Sequence, residues 1–431
     1  MSNPKRAVLS WALYDFANSA FATTVMAGFF PIFFKDFWSS GTPATESTFW
    51  LGVTVSSAGL VVALSSPFLG AMADSGGTKK RFLAVFTSLG ILSTAGLFLV
   101  PGGEWPHAAV LYGLGTVGFL CSLVFYDSLI ISVSTPESVD SVSARGYALG
   151  YLGGGLLFLL NVVAVQNPSM FGFAGQADAV RFSFLTVALW WAVFSLPLFL
   201  AVPGPAGGTS LSLAGRVREG FRRTTETLRH LSRYRTTGLF LIAYWFYIDG
   251  VDTVVTMAVD YGKSIGFQTG ELISALLLVQ FLGVPFSFLM GYLGRKWGTQ
   301  RALVLCILIY IVITVLGSRL DLAPYSVFGF EISKFYGVAF LVATAQGGIQ
   351  ALSRSFYARI IPGAMAAEFF GFYNMLGKFA TIVGPLLMGI VGRLTGSPRM
   401  GIQAIAVLFV IGLLLLFRVN EKRAQEEVAT P

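Results

Sequence analysis

The sequence predicts an all-α membrane protein with twelve transmembrane helices arranged as two six-helix bundles. Of its 431 residues, 55% are hydrophobic and only 12% are charged, whereas a soluble domain carries roughly 25% charged residues. The charges lie in short clusters between apolar runs of about 20 residues, the length that crosses roughly 30 Å of hydrocarbon as a helix. A chain so poor in charge cannot cover a large water-facing surface, so little of it is expected outside the membrane.

The apolar runs define the predicted spans and divide them into two groups of six. A longer basic segment, residues 204–236, follows the sixth span and is the predicted cytoplasmic linker between a bundle of residues 1–203 and a bundle of residues 237–418, with 419–431 as a tail. The predicted spans are 9–37, 49–73, 82–100, 108–133, 147–167, 182–203, 237–259, 271–293, 302–319, 333–353, 369–392 and 400–418.

The distribution of lysine and arginine predicts the orientation. With the N-terminus inside, 21 of these residues fall on the cytoplasmic side, 7 on the opposite side, and Lys378 within a span. Cytoplasmic segments of membrane proteins are enriched in positive charge, so both termini are expected in the cytoplasm, at an inner (plasma) membrane of bacterial type. The net charge of +8 is explained by this asymmetry, and no nucleic-acid partner is expected.

The basic linker has two interpretations. Leu213, Val217 and Phe221 recur at near-helical spacing among Arg216, Arg218 and other arginines. Such a pattern is typical of an amphipathic helix on anionic headgroups, but a solvated connector between the bundles has the same composition. The sequence leaves both open.

Two copies of one motif follow matching spans of the two halves. Gly70, Asp74, Gly77, Lys79 and Arg81 belong to the first copy, between spans 2 and 3; the second copy, between spans 8 and 9, contains Gly291, Lys296 and Gly298. Both resemble the cytoplasmic-loop motif of the major facilitator superfamily, in parallel repeats.

We interpret the two copies as a predicted gate, in which small residues let helices approach closely and an acid bonds to loop cations or to a helix N-terminus. Because Arg295 stands where the first copy has its acid, the acid-dependent contact is expected only at the first copy. Arg145 and Arg354, on the same side, are assigned to the predicted gate as well.

Ionisable residues within the spans predict the transport pathway, because an unpaired charge in hydrocarbon costs a few kcal/mol or more. The predicted substrate-binding or coupling residues are, in span 1, Tyr14, Asp15 and Asn18; in span 7, Tyr247, Asp249 and Asp252; and in span 11, Asn374 and Lys378. Asp249 and Asp252 are three residues apart and share a helix face, so one of them is expected to be protonated. Pairing of these acids with lysine or arginine is the alternative.

Several segments together identify a family. Residues 347–355, residues 368–374 with Lys378, residues 11–20 and residues 247–253 resemble the vacuolar amino-acid effluxer-like family of the major facilitator superfamily, in its bacterial branch. The resemblance covers nearly the whole chain. It implies a twelve-helix fold, alternating access, and export of amino acids or related metabolites.

The resulting functional hypothesis is a secondary active transporter of a small solute, with protons as the candidate coupling ion and lipids as its surroundings. We expect a monomer that is not an enzyme and has neither metal nor cofactor, because both histidines lie in predicted loops and no phosphate-binding G-x-x-x-x-G-K-[ST] loop is present. Two alternatives stay open: a transporter of lysophospholipids or other amphipathic lipids, suggested by 39 phenylalanines, and a membrane receptor that binds solute without moving it.

Overall fold

The computed structural model describes residues 4–42, 44–202, 213–229, 234–327 and 330–429, and helices account for most of them. In hydrocarbon no water is available to backbone N–H and C=O groups, so a crossing segment satisfies them within its own helix. The all-α prediction is confirmed. The helices are Pro4–Ala20 (α1), Phe30–Phe33 (α2), Ala44–Gly76 (α3), Lys79–Leu97 (α4), Trp105–Ser128 (α5), Ile130–Val133 (α6), Val139–Gln166 (α7), Gln176–Ala201 (α8), Leu213–Arg229 (α9), Arg235–Ser264 (α10), Thr269–Trp297 (α11), Thr299–Ser318 (α12), Lys334–Arg359 (α13), Ala366–Thr395 (α14), Pro398–Ala404 (α15), Ala406–Phe417 (α16) and Glu421–Ala429 (α17).

Within the described ranges, ten helices are long and apolar enough to cross a membrane. They overlap the predicted spans 1, 2, 4 to 10 and 12. Span 3 coincides with α4 and span 11 with α14, in which Val383–Thr395 forms a shorter apolar stretch. The count of twelve spans therefore stays a prediction.

The chain folds into two compact units. Unit 1 comprises Met1–Ser134, Leu149–Thr224 and Ala364–Asn374, and unit 2 comprises Thr135–Ala148, Thr225–Gly363 and Met375–Pro431. The start of α7 thus belongs to unit 2, and the start of α14 belongs to unit 1, although the remainder of each helix lies in the other unit. The sequence-based domain boundaries remain a prediction.

In unit 1, α1 packs against α8, and α5 packs against α3 and α4. A glycine-rich run, residues 150–155, lets α7 pack closely against α1, where a Cβ at Gly153 would overlap the carbonyl oxygen of Phe16. Stacked rings fill the core further along the first span; the centroids of Phe30 and Tyr112 are 3.8 Å apart.

The first span contains two π-helical segments, Phe21–Phe29 and Phe34–Trp38, on either side of α2. Wider π turns are rare and occur often at functional sites. Thr24, within the first of them, is fully buried, and its hydroxyl has no hydrogen-bond partner among the described residues. The sequence pattern did not predict this departure from α geometry.

The helix α9 occupies part of the predicted linker, and its residues up to Thr224 belong to unit 1. Gly220 of α9 lies against Phe68 and Met72 at the end of α3, and the ring of Phe221 lies 4.3 Å from that of Phe68. Arg218 and Arg222 are exposed. Residues 204–212 and 230–233 of the linker lie outside the described residues.

In unit 2, α10 packs against α16, and α11 packs against α13. Between α12 and α13, the strands Tyr325–Val327 (β1) and Phe330–Ile332 (β2) pair antiparallel. The last helix, α17, returns to the start of α10, where the Glu427 carboxylate accepts hydrogen bonds of 2.9 and 2.8 Å from the backbone N–H and hydroxyl of Thr236.

Candidate functional site

The first motif copy forms a tight turn between α3 and α4. Gly77 has φ of 60°, a left-handed conformation that glycine adopts without steric cost. The N–H of Thr78 donates to the carbonyl of Ala73 over 3.0 Å, which closes the end of α3. The turn returns Lys79 toward the helix end, where its Nζ lies 2.8 Å from the buried carboxylate of Asp74.

Asp74 also accepts a hydrogen bond from the start of α14 within unit 1. The backbone N–H of Glu368 donates to Asp74 Oδ2 over 2.8 Å, so the carboxylate satisfies a donor of the first turn and faces the positive end of that helix. The two helices approach closely because Gly70 has no side chain: a Cβ there would overlap the carbonyl oxygen of Ala367. The predicted roles of Gly70, Asp74, Gly77 and Lys79 as gate residues rest on this geometry and remain a proposal.

The second copy repeats the turn but not the acid. Gly298 ends α11 with φ of 92°, and Arg295 and Lys296 are exposed. The carboxylate comes from α7 instead: Asp140, fully buried in unit 2, lies beside Thr299, the residue that follows the turn. The expectation that only the first copy has a carboxylate contact is therefore wrong.

Asp140 has three hydrogen-bonding partners in unit 2. Its oxygens accept from the Thr299 hydroxyl at 3.0 Å, from the Ser355 hydroxyl at 2.5 Å and from the Arg359 guanidinium at 2.6 Å. Arg359 lies within 3.6 Å of Glu421 at the start of α17. A buried charge persists when it is paired and its remaining lone pairs are bonded, and Asp140 meets both conditions.

Arg354, a predicted gate residue, lies five residues before Arg359 on α13 and is almost fully buried. Its Nε and Nη2 donate to the side-chain and backbone oxygens of Ser143 at 2.9 and 3.0 Å, and its guanidinium lies 4.3 Å from the ring centroid of Tyr147. The start of α7 is thus fixed to the end of α13.

Gly291 of α11, another predicted gate residue, lets α11 approach the same segment of α7, since a Cβ there would overlap Ala144. The two other basic residues of the predicted gate, Arg81 and Arg145, are exposed. Among the described residues, neither arginine makes side-chain hydrogen bonds like those of Arg354.

A residue next to each turn also closes the end of another helix. Lys80 donates from Nζ to the carbonyls of Phe199 and Val202 at 2.8 and 2.7 Å, which satisfies the C-terminal end of α8. Burial lowers the pKa of this ammonium below its usual value. In unit 2, Gln300 donates from Nε2 to the carbonyls of Leu416 and Val419 at the end of α16. Both caps are additional to the residues that the sequence singled out.

The polar residues of span 1 lie inside unit 1. Asp15 accepts a 2.7 Å hydrogen bond from the Tyr126 hydroxyl, and Tyr14 shares one of 2.6 Å with Thr87. Asn18 is 2% exposed, and its Nδ2 has no hydrogen-bond partner among the described residues. These side chains are buried polar groups, and their binding role remains a prediction.

In span 7, Asp249 lies against α14 within unit 2. Both of its oxygens lie 2.9–3.0 Å from the backbone N–H of Gly384, and Thr253 donates to it over 3.4 Å. The next residue, Pro385, has no N–H and disrupts the regular bonding of α14. A side chain at Gly384 would overlap Thr253 and Asp249, which shows that α10 and α14 pack closely here. Asp249 therefore stabilises this helix contact in addition to its predicted coupling role.

The other predicted pathway residues are dispersed. Tyr247 shares a 2.7 Å hydrogen bond with Ser353, whereas Asp252, one turn from Asp249, is half-buried. In unit 1, Asn374 donates to Phe370 and, at 3.4 Å, to Asp127. The side chain of Lys378 lies outside the described part of the structure, so its predicted pairing stays a prediction.

Comparison with known proteins decides the family. A family profile described as vacuole effluxer Atg22 like matches residues 40–137 and 131–429. The chain belongs to this family. An uncharacterized MFS-type transporter of Bacillus subtilis, YxiO, is 36% identical over 97% of this chain and 95% of its own length. Autophagy-related protein 22-2 of Penicillium rubens is 26% identical over 75% of this chain, which spans 55% of that fungal protein.

Solved structures agree on the fold of this Atg22-like protein. The human organic anion transporter MFSD10 superposes with a TM-score of 0.71 at 15% identity, covering 96% of this chain and all of the other. The proton:xylose symporter XylE gives 0.67 at 12% identity, covering 96% and 94%. The protein is a multi-pass transporter of the major facilitator superfamily, which confirms the family and fold predicted from the sequence.

Proposed function

We propose that this protein is a secondary active transporter that exports a small solute, an amino acid or a related metabolite, by alternating access. The observation that carries the proposal is the pair of buried carboxylates beside the two motif copies. In unit 1, Asp74 binds the start of α14, and in unit 2, Asp140 binds Thr299 and Arg359. Each carboxylate therefore bonds residues of one six-span sequence half to residues of the other.

In the proposed cycle, these contacts form when the predicted cytoplasmic side closes and break when it opens. Breaking them exposes two carboxylates and their partner cations to water, which compensates much of the lost interaction because hydration of charges is strong. Contacts of this kind can therefore break and re-form during the cycle, whereas an apolar interface gains no such hydration when it opens. Both termini are proposed to be cytoplasmic, at a bacterial inner membrane.

Coupling to protons is part of the proposal and is assigned to Asp249 and Asp252 of α10. Two carboxylates on one helix face disfavour joint ionisation, and the Gly384 N–H that donates to Asp249 belongs to another helix. A proton on Asp249 would weaken that bond and loosen α10 from α14. XylE, which shares the fold, is a proton:xylose symporter, and membership of a family of effluxers supports export.

Transport is tested in proteoliposomes loaded with unlabelled amino acids and challenged with labelled ones. Exchange of at least one amino acid is expected without any gradient, and net flux is expected to rise when a pH gradient is imposed. Asp249→Asn should abolish the response to the gradient while exchange persists, and Asp321→Asn, in a loop, serves as the matched control.

The outcomes separate the parts of the proposal. If no amino acid exchanges, this substrate class is refuted. If exchange occurs but flux ignores both the gradient and Asp249→Asn, proton coupling through this residue is refuted while transport stands.

A further inference from the structure

Unit 2 contains a cavity between α10, α11, α12, α13 and α15, in the part of the bundle far from the predicted gate. Its volume is about 100 Å³, against about 10–15 Å³ for one water and about 150 Å³ for a site that holds benzene. The space suits a molecule of a few carbon atoms.

The walls of the cavity are mainly apolar. Val254, Leu272, Ala339 and Val342 are typical of its lining. None of the described lining residues is an acid, a lysine, an arginine or a histidine. The hydroxyl of Tyr261 donates to the carbonyl of Gly317 over 2.7 Å, so this polar group is satisfied within the protein.

Two glutamines give the cavity a polar end. Gln280 and Gln346 line it near the middle of α11 and α13, whereas Leu272 and Phe335 line it near the starts of those helices. The Oε1 atom of Gln346 is buried and has no hydrogen-bond partner among the described residues. Burying an amide group without a partner costs about 1–3 kcal/mol, and a ligand that supplies the missing bond recovers part of that cost.

We propose that this cavity binds a small, uncharged, mainly apolar molecule carrying a hydroxyl group, an aliphatic alcohol in chemical class. A hydroxyl both donates and accepts, so it satisfies a glutamine amide in either orientation. A zwitterion or carboxylate is excluded from the cavity, because the described lining offers no counter-charge.

The direction of polarity also excludes a bilayer lipid. A phospholipid in the leaflet opposite the predicted gate would place its headgroup near the starts of α11 and α13 and its acyl chains near the middle of these helices. The cavity has the opposite arrangement: it is apolar near the helix starts and polar near their middle. The inference concerns unit 2 alone and does not rest on the proposed transport activity.

The test uses a butanol that bears a photoreactive diazirine, with the full-length protein in proteoliposomes and labelled peptides identified by mass spectrometry. Labelling of α13 between Phe335 and Gln346 is expected to saturate and to be competed by excess butanol. Gln346→Leu, which keeps the side-chain size, should reduce saturable labelling about tenfold. Ala339→Phe should abolish it, and Phe340→Ala, on the exposed face of α13, should leave it unchanged.

Four results would contradict parts of the proposal. Labelling that does not saturate, or that survives both Gln346→Leu and Ala339→Phe, would overturn the site. Competition by free alanine would overturn the exclusion of charged ligands. Equal saturable labelling by the corresponding diazirine-bearing butane would remove the role of the hydroxyl. Elution volume and unfolding temperature show whether each variant is folded, and the near-isosteric Gln346→Leu keeps the test decisive if Ala339→Phe does not fold.

Discussion

The two motif copies have the same turn but obtain their acid from opposite sides of the contact. In unit 1, the motif supplies Asp74 from the end of α3, and the partner helix supplies a backbone N–H. In unit 2, the loop supplies the hydroxyl of Thr299, and the partner helix supplies Asp140. The position of Asp74 is taken in the second copy by an exposed arginine, Arg295.

The comparison shows that the arrangement of charge, and not the position of the acid along the sequence, is retained. Each contact places one buried carboxylate beside a close helix crossing that a glycine permits, Gly70 in one unit and Gly291 in the other. The cation differs too: Lys79 comes from the loop itself, whereas Arg359 comes from the end of α13. The guanidinium has more donors than an ammonium, and it also contacts α17.

The largest expected effect is therefore at the second copy. Asp140→Asn leaves the partly buried Arg359 beside a neutral partner, and removal of one member of a buried ion pair costs about 3–5 kcal/mol. Asp74→Asn also leaves the buried Lys79 beside a neutral partner, but fewer hydrogen bonds change there. The Glu368 N–H keeps an acceptor, whereas Asp140 also accepts from the hydroxyls of Thr299 and Ser355. We therefore expect a smaller cost for Asp74→Asn, about 1.5–3 kcal/mol. Unfolding in detergent measures both, with the exposed Glu137→Gln as the control. Equal losses at the two sites would contradict the asymmetry.

The glycine crossings should also differ in tolerance. Gly70→Ala introduces a methyl group against the backbone of Ala367, and Gly291→Ala introduces one against the side-chain methyl of Ala144. Overpacking typically costs about 1–3 kcal/mol, and we expect Gly70→Ala to lie at the upper end because a backbone carbonyl cannot be displaced alone. Gly52→Ala, in open space on the same helix, provides the baseline. The reverse order would show that the unit 2 crossing is the more rigid.

Restoring the acid to the second loop should change little. Arg295 is exposed and Asp140 already occupies the buried position, so Arg295→Asp is expected to alter stability by no more than about 0.5 kcal/mol. The same substitution in an Asp140→Asn background tests replacement directly: recovery of the lost stability would mean that a loop carboxylate can substitute for one on α7.

The smallest expected effect concerns an exposed ion pair, which provides a reference for the two buried ion pairs. Lys334 donates to both oxygens of Asp321 at 2.7 and 2.9 Å, and this bond holds the pKa of Asp321 below its usual value. The stabilisation is present above the ordinary aspartate pKa and is lost as pH falls through the lower folded value. Unfolding temperatures from neutral to acidic pH should show a slight acid-side loss that Asp321→Asn removes. A lower unfolding temperature of the unmodified protein already at neutral pH would contradict this prediction.

The sequence predicted the helical fold and both turns because apolar length and glycine spacing are local signals. It missed Asp140, whose partner Arg359 is 219 residues away, since pairing at that separation leaves no local pattern. A signal was nevertheless present: Asp140 and Glu368 precede the fifth and the eleventh predicted spans, and each stands in the first turn of the helix that contains that span, α7 or α14. For Asp249, hydropathy indicated a buried acid but could not show that its oxygens meet the backbone of Gly384, and the π segments had no sequence signature.

The exchange of short segments between units constrains how the protein is made. Unit 1 incorporates Ala364–Asn374, so the ribosome must deliver most of the chain before the first-made unit can close its packing. In unit 2, Glu427 bonds Thr236 at the start of α10, so this contact waits until a segment 191 residues further along the chain has been made. Neither half can finish folding independently during insertion, and a stalled nascent chain would leave both incomplete.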